Sequence, residues 1–191
     1  MDPDRPRRAV IGVRTATTDD VAAMIGLHEE VAAEGTWIAT ESPVDRDRLA
    51  RLLVESIESD EQLRLVAVDG ERVVGHLGFN PSGSGVMYLG MTLAADYRGQ
   101  GVGTAMMLAA IEWARAQNGV HKIELEVWPH NAAAIALYRK VGFQVEGRRR
   151  RHYRRRNGEL WDAILMALVL DDVSPGSPHL DRLSLEQETP G

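Results

Sequence analysis

From Val86 to Leu93 the chain alternates Met87, Leu89, Met91 and Leu93 with Val86, Tyr88, Gly90 and Thr92, the period of two that a pleated strand imposes. A few residues on, the period changes. Val102, Met106, Ala109, Ala110 and Trp113 recur at helical spacing, and Asn118-Gly119 supplies a stop. Read the same way, Ala9 to Arg14 is a first strand, and Thr17-Thr18-Asp19-Asp20 opens a helix with Val21, Met24, Ile25 and Val31 on its apolar face. Gly35 interrupts that helix, and Ser42-Pro43 precedes a second one carrying Leu49, Leu52, Leu53 and Ile57. Leu63 to Val68 and Arg72 to Phe79 are strands joined at the favoured hairpin turn Asp69-Gly70, and a loose Pro/Gly/Ser connection follows from Asn80 to Gly85. Lys122 to Trp128 alternates Ile123, Leu125 and Val127 with Lys122, Glu124 and Glu126, so both carboxylates share one face of a strand. Asn131 to Tyr138 is a helix closed by Gly142-Phe143. An arginine-rich run then reaches the turn signal Asn157-Gly158, and Leu160 to Leu168 returns as a strand. The predicted order is β-α-α-β-β-β-α-β-α-β-β.

Chemistry enters at the junction of the 86–93 strand and the following helix, where Arg98-Gly99-Gln100-Gly101-Val102-Gly103 lies. A helix that starts at glycines leaves its first amide N–H groups unpaired, and no Cβ keeps a ligand from approaching them. Those amides and the positive end of the helix dipole suit a pyrophosphate. A nucleotide-triphosphate loop would need Gly-Lys-Ser or Gly-Lys-Thr, whereas this turn ends Gly101-Val102-Gly103-Thr104. A dinucleotide loop would follow the first strand, with an acidic residue about 20 residues on. Neither pattern fits. The plain structural alternative is a glycine turn that caps a helix.

Downstream, Asn131 and Tyr138 stand two helical turns apart and so share a face, with the small Ala134 between them. Taken singly, Asn131 is a helix cap and Tyr138 a core tyrosine. Taken in order, the Arg-x-x-Gly-x-Gly turn after a strand, the Leu125-Glu126-Val127 strand, the Asn131…Ala134…Tyr138 helix and Gly142-Phe143 are more specific. The set resembles the GCN5-related N-acetyltransferase superfamily, over about Val10 to Leu170.

That resemblance implies an α/β (α+β) fold, a mixed and mostly antiparallel seven-stranded sheet with helices on both faces. It implies that the strands at 86–93 and 122–128 splay apart to admit a pantetheine arm; Gly90 is compatible with a bulge there. It names acetyl-CoA as acetyl donor, its pyrophosphate on Arg98, Gly99, Gln100, Gly101, Val102, Gly103 and Thr104, and its arm along the main chain of Met91, Thr92 and Leu93. Asn131 and Ala134 correspond to positions beside the arm, and Tyr138 to one beside the thioester sulfur. The glutamate of Leu-Glu-Val, here Glu126, corresponds to one assigned as base in relatives that acetylate protein N-termini; His76 and His130 are reserve bases. The loop from Glu34 to Pro43 lies where the family shapes its acceptor pocket, which makes Trp37, with Glu124, a candidate substrate contact.

Composition narrows the reading further. The chain has 191 residues and 44% hydrophobic content, enough for one domain at 9–170 between flexible ends at 1–8 and 171–191. With no cysteine, disulfides, thiolate metal sites and acyl-cysteine intermediates are excluded, and no metal is expected. The apolar run Ala163 to Leu170 is too short to span a bilayer, and the charged start Met1-Asp2-Pro3-Asp4 lacks a signal-peptide core, so the default is cytoplasmic with no membrane partner. Net charge is −6, although residues 148–156 carry seven arginines. On a strand those arginines would alternate between faces as solvated side chains, with an anionic acceptor or the donor's phosphates as the functional alternative. Nucleic acid is not expected, because no groove-reading helix or stacking aromatics accompany the run. A homodimer is left open.

Attack on a thioester needs a neutral amine. Near pH 7, deprotonating a lysine-like amine costs about 4.6 kcal/mol and a peptide α-amine about 1.4 kcal/mol. Glu126 would take that proton, and Tyr138, protonated near neutrality, would donate to the departing sulfur. The sequence therefore predicts direct acetyl transfer to a primary amine of a small molecule or peptide. Its rivals are a protein N-terminal acetyltransferase, a non-catalytic acyl-CoA-binding protein and a nucleic-acid-binding hairpin protein.

Overall fold

The computed structural model describes residues 11–170; the expected flexible ends and the first residues of the first strand lie outside the described residues. The elements are β1 (Gly12–Thr15), α1 (Val21–Ala33), α2 (Arg46–Ile57), β2 (Leu63–Asp69), β3 (Arg72–Pro81), β4 (Val86–Leu93), α3 (Val102–Arg115), β5 (Lys122–Val127), α4 (Ala132–Lys140), β6 (Gln144–Arg154) and β7 (Leu160–Val169). Their order is the predicted one. They build a seven-stranded sheet in the order β1-β2-β3-β4-β5-β7-β6, antiparallel everywhere except between β4 and β5.

Alternation along the strands feeds two cores. On β2, Leu65 and Ala67 join Leu77, Phe79, Ile123 and Leu125 beneath Met106 and Met107 of α3, while Val66 joins Met24, Ile25 and Val31 of α1 and Leu53 of α2. The helices therefore cover opposite faces of one sheet. A capping box fixes the approach to α1: the Thr17 amide donates to Asp20 at 2.8 Å, and Arg14 donates to the same carboxylate at 2.7 Å. The Arg14 hydrogen bond holds the Asp20 pKa down at about 2. The start of α2 falls later than Ser42-Pro43, where Asp45 accepts from the Arg48 amide at 3.0 Å.

The one parallel pairing shapes the molecule. β4 and β5 pair only at Val86↔Lys122, Met87↔Ile123 and Tyr88↔Glu124. Beyond those residues β4 pairs only with β3, and β5 only with β7, so the two strands part and open a cleft at their C-terminal ends. The bulge with which Gly90 is compatible does not occur. The β3–β4 ladder runs without a shift from Gly75↔Leu93 to Pro81↔Met87, because the opening comes from the loss of β5 rather than from an inserted residue.

The arginine run departs from the expected regular ladder. The register of β6 shifts between Arg149 and Tyr153, and Arg151 adopts a positive φ of 51° within that bulge. Six of the seven arginines are exposed, as expected of solvated strand side chains, but Arg155 is not and several of the others are paired. Arg155 is buried, lies 4.5 Å from the Trp161 ring centroid, and donates to the carbonyls of Gly35 and Ala39. Arg148 pairs with Asp162, Arg149 with Glu126, and Arg156 binds Glu41, Ser42 and Pro43. Four of the seven thus find partners inside the chain, while Arg150, Arg151 and Arg154 are exposed without an ion pair among the described residues.

Candidate active site

A cleft of about 650 Å³ occupies the gap between β4 and β5 and continues under the loop that joins α1 to α2. Its wall toward α3 is the glycine turn. Gly99 and Gly101 have φ values of +70° and +87°, and a Cβ at either would meet nothing within 4 Å. These glycines thus answer to backbone shape and to open space, not to neighbouring protein atoms. Among the described residues, the amides of Gly99, Gln100 and Gly101 have no backbone acceptor, and those of the first helical residues lack one by construction. Gly103 differs: its Cβ would come within 2.9 Å of Leu137 Cδ1, so it lets α3 approach α4.

Not every residue expected at this turn faces the cleft. Arg98, Gly99, Gly101, Gly103 and Thr104 line it; Gln100 turns back to the Asp96 carbonyl, and Val102 is buried in the core. Arg98 is already engaged. Its guanidinium grips Glu34 at 2.7 and 2.6 Å, its Nε donates to the Leu93 carbonyl at 3.1 Å, and it lies over the Trp37 ring. Those bonds pull the Glu34 pKa down and tie the turn to the end of α1. Met91, Thr92 and Leu93 line the cleft, on the stretch of β4 whose β5-side edge has no strand partner.

Helix α4 supplies the opposite wall. Asn131 caps it, accepting from the Ala134 amide at 3.1 Å, and also lines the cleft with Ala134, Leu137 and Tyr138. The cap and the cleft position thus coexist in one residue. Tyr138 is 7% exposed and packs on Phe143. Burial first, and the neighbouring Tyr88 second, push its pKa up to about 12, so its hydroxyl keeps its proton throughout the neutral range.

Glu126 lines the cleft from β5, its side chain 8% exposed. Arg149 approaches one carboxylate oxygen at 2.5 Å and the Tyr153 hydroxyl donates to the other at 2.7 Å. Burial and this bond to Glu126 raise the Tyr153 pKa. Glu124, although on the same strand face, accepts from Ser82 where β4 and β5 still pair, and does not line the cleft. Trp37 does line it, donating to Glu34 at 2.6 Å. Of the reserve bases, His130 holds the Thr36 carbonyl at 3.0 Å, and burial drops the His76 pKa to about 3, which leaves it uncharged and very weakly basic near neutrality.

Sequence reasoning missed Arg64, His28, Tyr88, Tyr153 and Arg149, all near or in this cleft. One signal was available: Arg64 interrupts the otherwise apolar face-to-face pattern of Leu63 to Val68. Tyr153 and Arg149 were masked by the charge of the run around them.

The chain matches the Acetyltransferase (GNAT) family over residues 24–143. It is 34% identical to the L-amino acid N-acetyltransferase of Escherichia coli over 83% of this chain and 98% of that protein. It is 30% identical to the L-methionine sulfoximine/L-methionine sulfone acetyltransferase of Pseudomonas aeruginosa, over 71% and 81% of the two chains. The crystal structure of a ribosomal-protein-alanine N-acetyltransferase from Brucella melitensis superposes with a TM-score of 0.76 at 27% identity, covering 83% and 99% of the two chains.

Proposed function

The chain belongs to the acetyltransferase (GNAT) family, and from that premise we propose that it transfers the acetyl group of acetyl-CoA to the primary amine of a small molecule. One observation carries the donor half: a strand pair that parts after three registered pairs, with a glycine turn of unpaired amides at its mouth. The residues present fit the donor. The open space above Gly99 and Gly101 suits a pyrophosphate, and the free edge of Met91 to Leu93 suits the amides of a pantetheine arm. Acetyl-CoA would supply the activated thioester; Asn131 and Ala134, which line the cleft, would hold the arm, and Tyr138 would serve the departing sulfur. No helix among the described residues is long and apolar enough to cross a membrane, and a cytoplasmic supply of acetyl-CoA fits this reading.

The acceptor half rests on the loop between α1 and α2. Arg155 holds it through the carbonyls of Gly35, Ile38 and Ala39, Arg156 through Glu41, His130 through Thr36, and His28 through Thr40. A loop fixed at so many points roofs the acceptor side, where an extended peptide would need an open trough. A small amine suits such a pocket better than a protein N-terminus. The relatives named for L-amino acids and methionine analogues agree with that choice, and the ribosomal-protein relative supplies the rival. Release of free thiol from acetyl-CoA, followed across free amino acids, simple amines and short peptides, should be fastest with the free small amines. Faster release with a peptide beginning in alanine would favour the rival, and none with any amine would leave a binding protein.

Glu126 is the group best placed to take the amine's proton, directly or through water. Both its oxygens already accept from Arg149 and Tyr153, so it must also serve as an anchor for β6. Glu126→Gln separates the roles through pH. Near pH 7 the free-amine fraction limits the rate by between about 1.4 kcal/mol for a peptide-like α-amine and about 4.6 kcal/mol for a lysine-like amine, and a free small amine falls inside that range. The variant's kcat/KM should therefore fall by at least about tenfold near pH 7 and approach the wild-type value as the pH rises past the acceptor amine's own pKa. A defect that stays constant with pH would reduce Glu126 to the anchor alone.

A further inference from the structure

Arg64 reaches the cleft by an unusual path. It stands on β2 opposite Gly78 of β3, which stands opposite Gly90 of β4, and all three residues line the cleft. Its side chain lies flat across Gly78: a Cβ there would fall 1.6 Å from Arg64 Nη1. Glycine in a strand interior costs stability, and the close passage of this side chain is what the missing Cβ permits. The guanidinium tip donates to the exposed Asn80 Oδ1 at 2.7 Å, with long contacts of 3.3 and 3.5 Å to the carbonyls of Leu63 and Phe79.

No carboxylate among the described residues pairs with Arg64, and burial alone lowers its pKa to about 10. It remains a cation at neutral pH, and a half-buried cation without a counter-ion is costly to keep. The neighbourhood is also short of hydrogen-bond partners. Arg64 Nε, His76 Nε2 and His28 Nδ1 are all shut from solvent without a partner, and the two imidazole rings lie 5.8 Å apart. The other arginines near the cleft are satisfied: Arg98 by Glu34, Arg149 by Glu126. Arg64 shares its sheet face with Val66 and α1, whereas the glycine turn opens α3 on the opposite face. An anion on Arg64 would therefore belong to the acceptor and not to the donor's pyrophosphate.

We propose that Arg64, beside His28 and His76 and seated over Gly78 next to the open space above Gly90, receives the carboxylate of the acceptor, so that the enzyme selects amines bearing a free carboxyl group. The inference rests on the acetyl-transfer reading above and deepens it. A guanidinium matches the two oxygens of a carboxylate, and the uncharged imidazoles leave the cation's charge uncontested by a second one. The selection acts on binding, so it appears in KM more than in kcat.

The test compares each proteinogenic L-amino acid with its own carboxamide, which keeps the side chain but loses the charge, with kcat/KM referred to the concentration of free amine because the amide's amine is the less basic of the two. Wild-type enzyme should prefer the acid of its best acceptor. Arg64→Met should lower kcat/KM for that acid by about 10- to 100-fold, mainly through KM, and change the amide little. Gly78→Ala leaves every charge in place but displaces the guanidinium, and should cost the same preference. Acetyl-CoA must still raise the melting temperature of both variants, which shows that each folds and binds donor. Equal losses on acid and amide, or a wild type indifferent to the carboxyl group, would overturn the carboxylate site while leaving acetyl transfer intact. If no amine is acetylated, the thermal shift of the wild type with CoA and the same amino acids decides: no shift, or one that survives in Arg64→Met, rejects the site.

Discussion

Gly101→Val is expected to eliminate the rise in melting temperature that acetyl-CoA gives the wild type, while leaving a folded protein. A ligand at about 100 times its Kd stabilises the native state by about 2.7 kcal/mol, which corresponds to a rise of roughly 5–10 °C for a domain of this size. The substitution acts on that response in two separable ways. Gly101 sits at φ +87°, where a β-branched residue is strained by about 1–2 kcal/mol, so the unliganded protein should lose roughly 2–8 °C. No protein atom lies within 4 Å of the added Cβ, so the valine side chain points into open cleft, where the pyrophosphate would have to approach the amides. Gly158→Ala is the control, since Gly158 has φ +89° at the β6–β7 turn, also with nothing within 4 Å. It should show a similar loss in the unliganded protein and an undiminished response to acetyl-CoA. Should Gly101→Val respond as Gly158→Ala does, the donor does not bind at this turn.

The fold was legible in the sequence wherever one period held for the length of an element. Lys122 to Val127 is a half-buried strand whose alternation survives intact, that of Val86 to Leu93 holds as far as Leu89 before Thr92 is buried instead of Met91, and the Gly101-Val102 junction marks the start of α3 to the residue. The residues that resist reading are those whose partners are far away in sequence. Arg155 is a charged residue in a charged run, and only the tertiary structure brings it against Trp161 and the carbonyls of residues 35, 38 and 39. Nothing local marks it as buried.

The same asymmetry runs through the cleft. Asn131 and Tyr138 share a face because two helical turns lie between them, a local rule that needs no tertiary information. The engagement of Glu126 by Arg149 and Tyr153 depends instead on the β6 bulge, which the arginine run gave no means of anticipating. Glu124 shows the limit of face-sharing as an argument. It has the same strand parity as Glu126, yet it sits where β4 and β5 are still paired, so only one of the two carboxylates reaches the cleft.

Tyr138→Phe should lower kcat by about 100-fold, the usual scale for a positioned proton donor, with acetyl-CoA affinity nearly unchanged. The phenyl ring keeps the packing against Phe143, so only the hydroxyl is lost. Its contribution follows from two acidities. A free thiol has a pKa of ~8.5. Burial lifts the Tyr138 hydroxyl to about 12. Complete proton transfer from such a phenol to such a thiolate would run uphill by roughly 5 kcal/mol, so on the proposed reading Tyr138 would act as a fixed hydrogen-bond donor while charge builds on sulfur. The sign of the shift sets the pH dependence. A pKa raised by burial keeps the donor protonated at every pH below it, so wild-type kcat should show no alkaline fall up to about pH 10. The variant should keep that flat profile at its lower rate. An alkaline fall between pH 8 and about 10 that disappears in Tyr138→Phe would mean the hydroxyl ionises within the working range and acts as an acid in full. An unchanged kcat, with acetyl transfer shown to limit the rate, would leave Tyr138 as a packing residue.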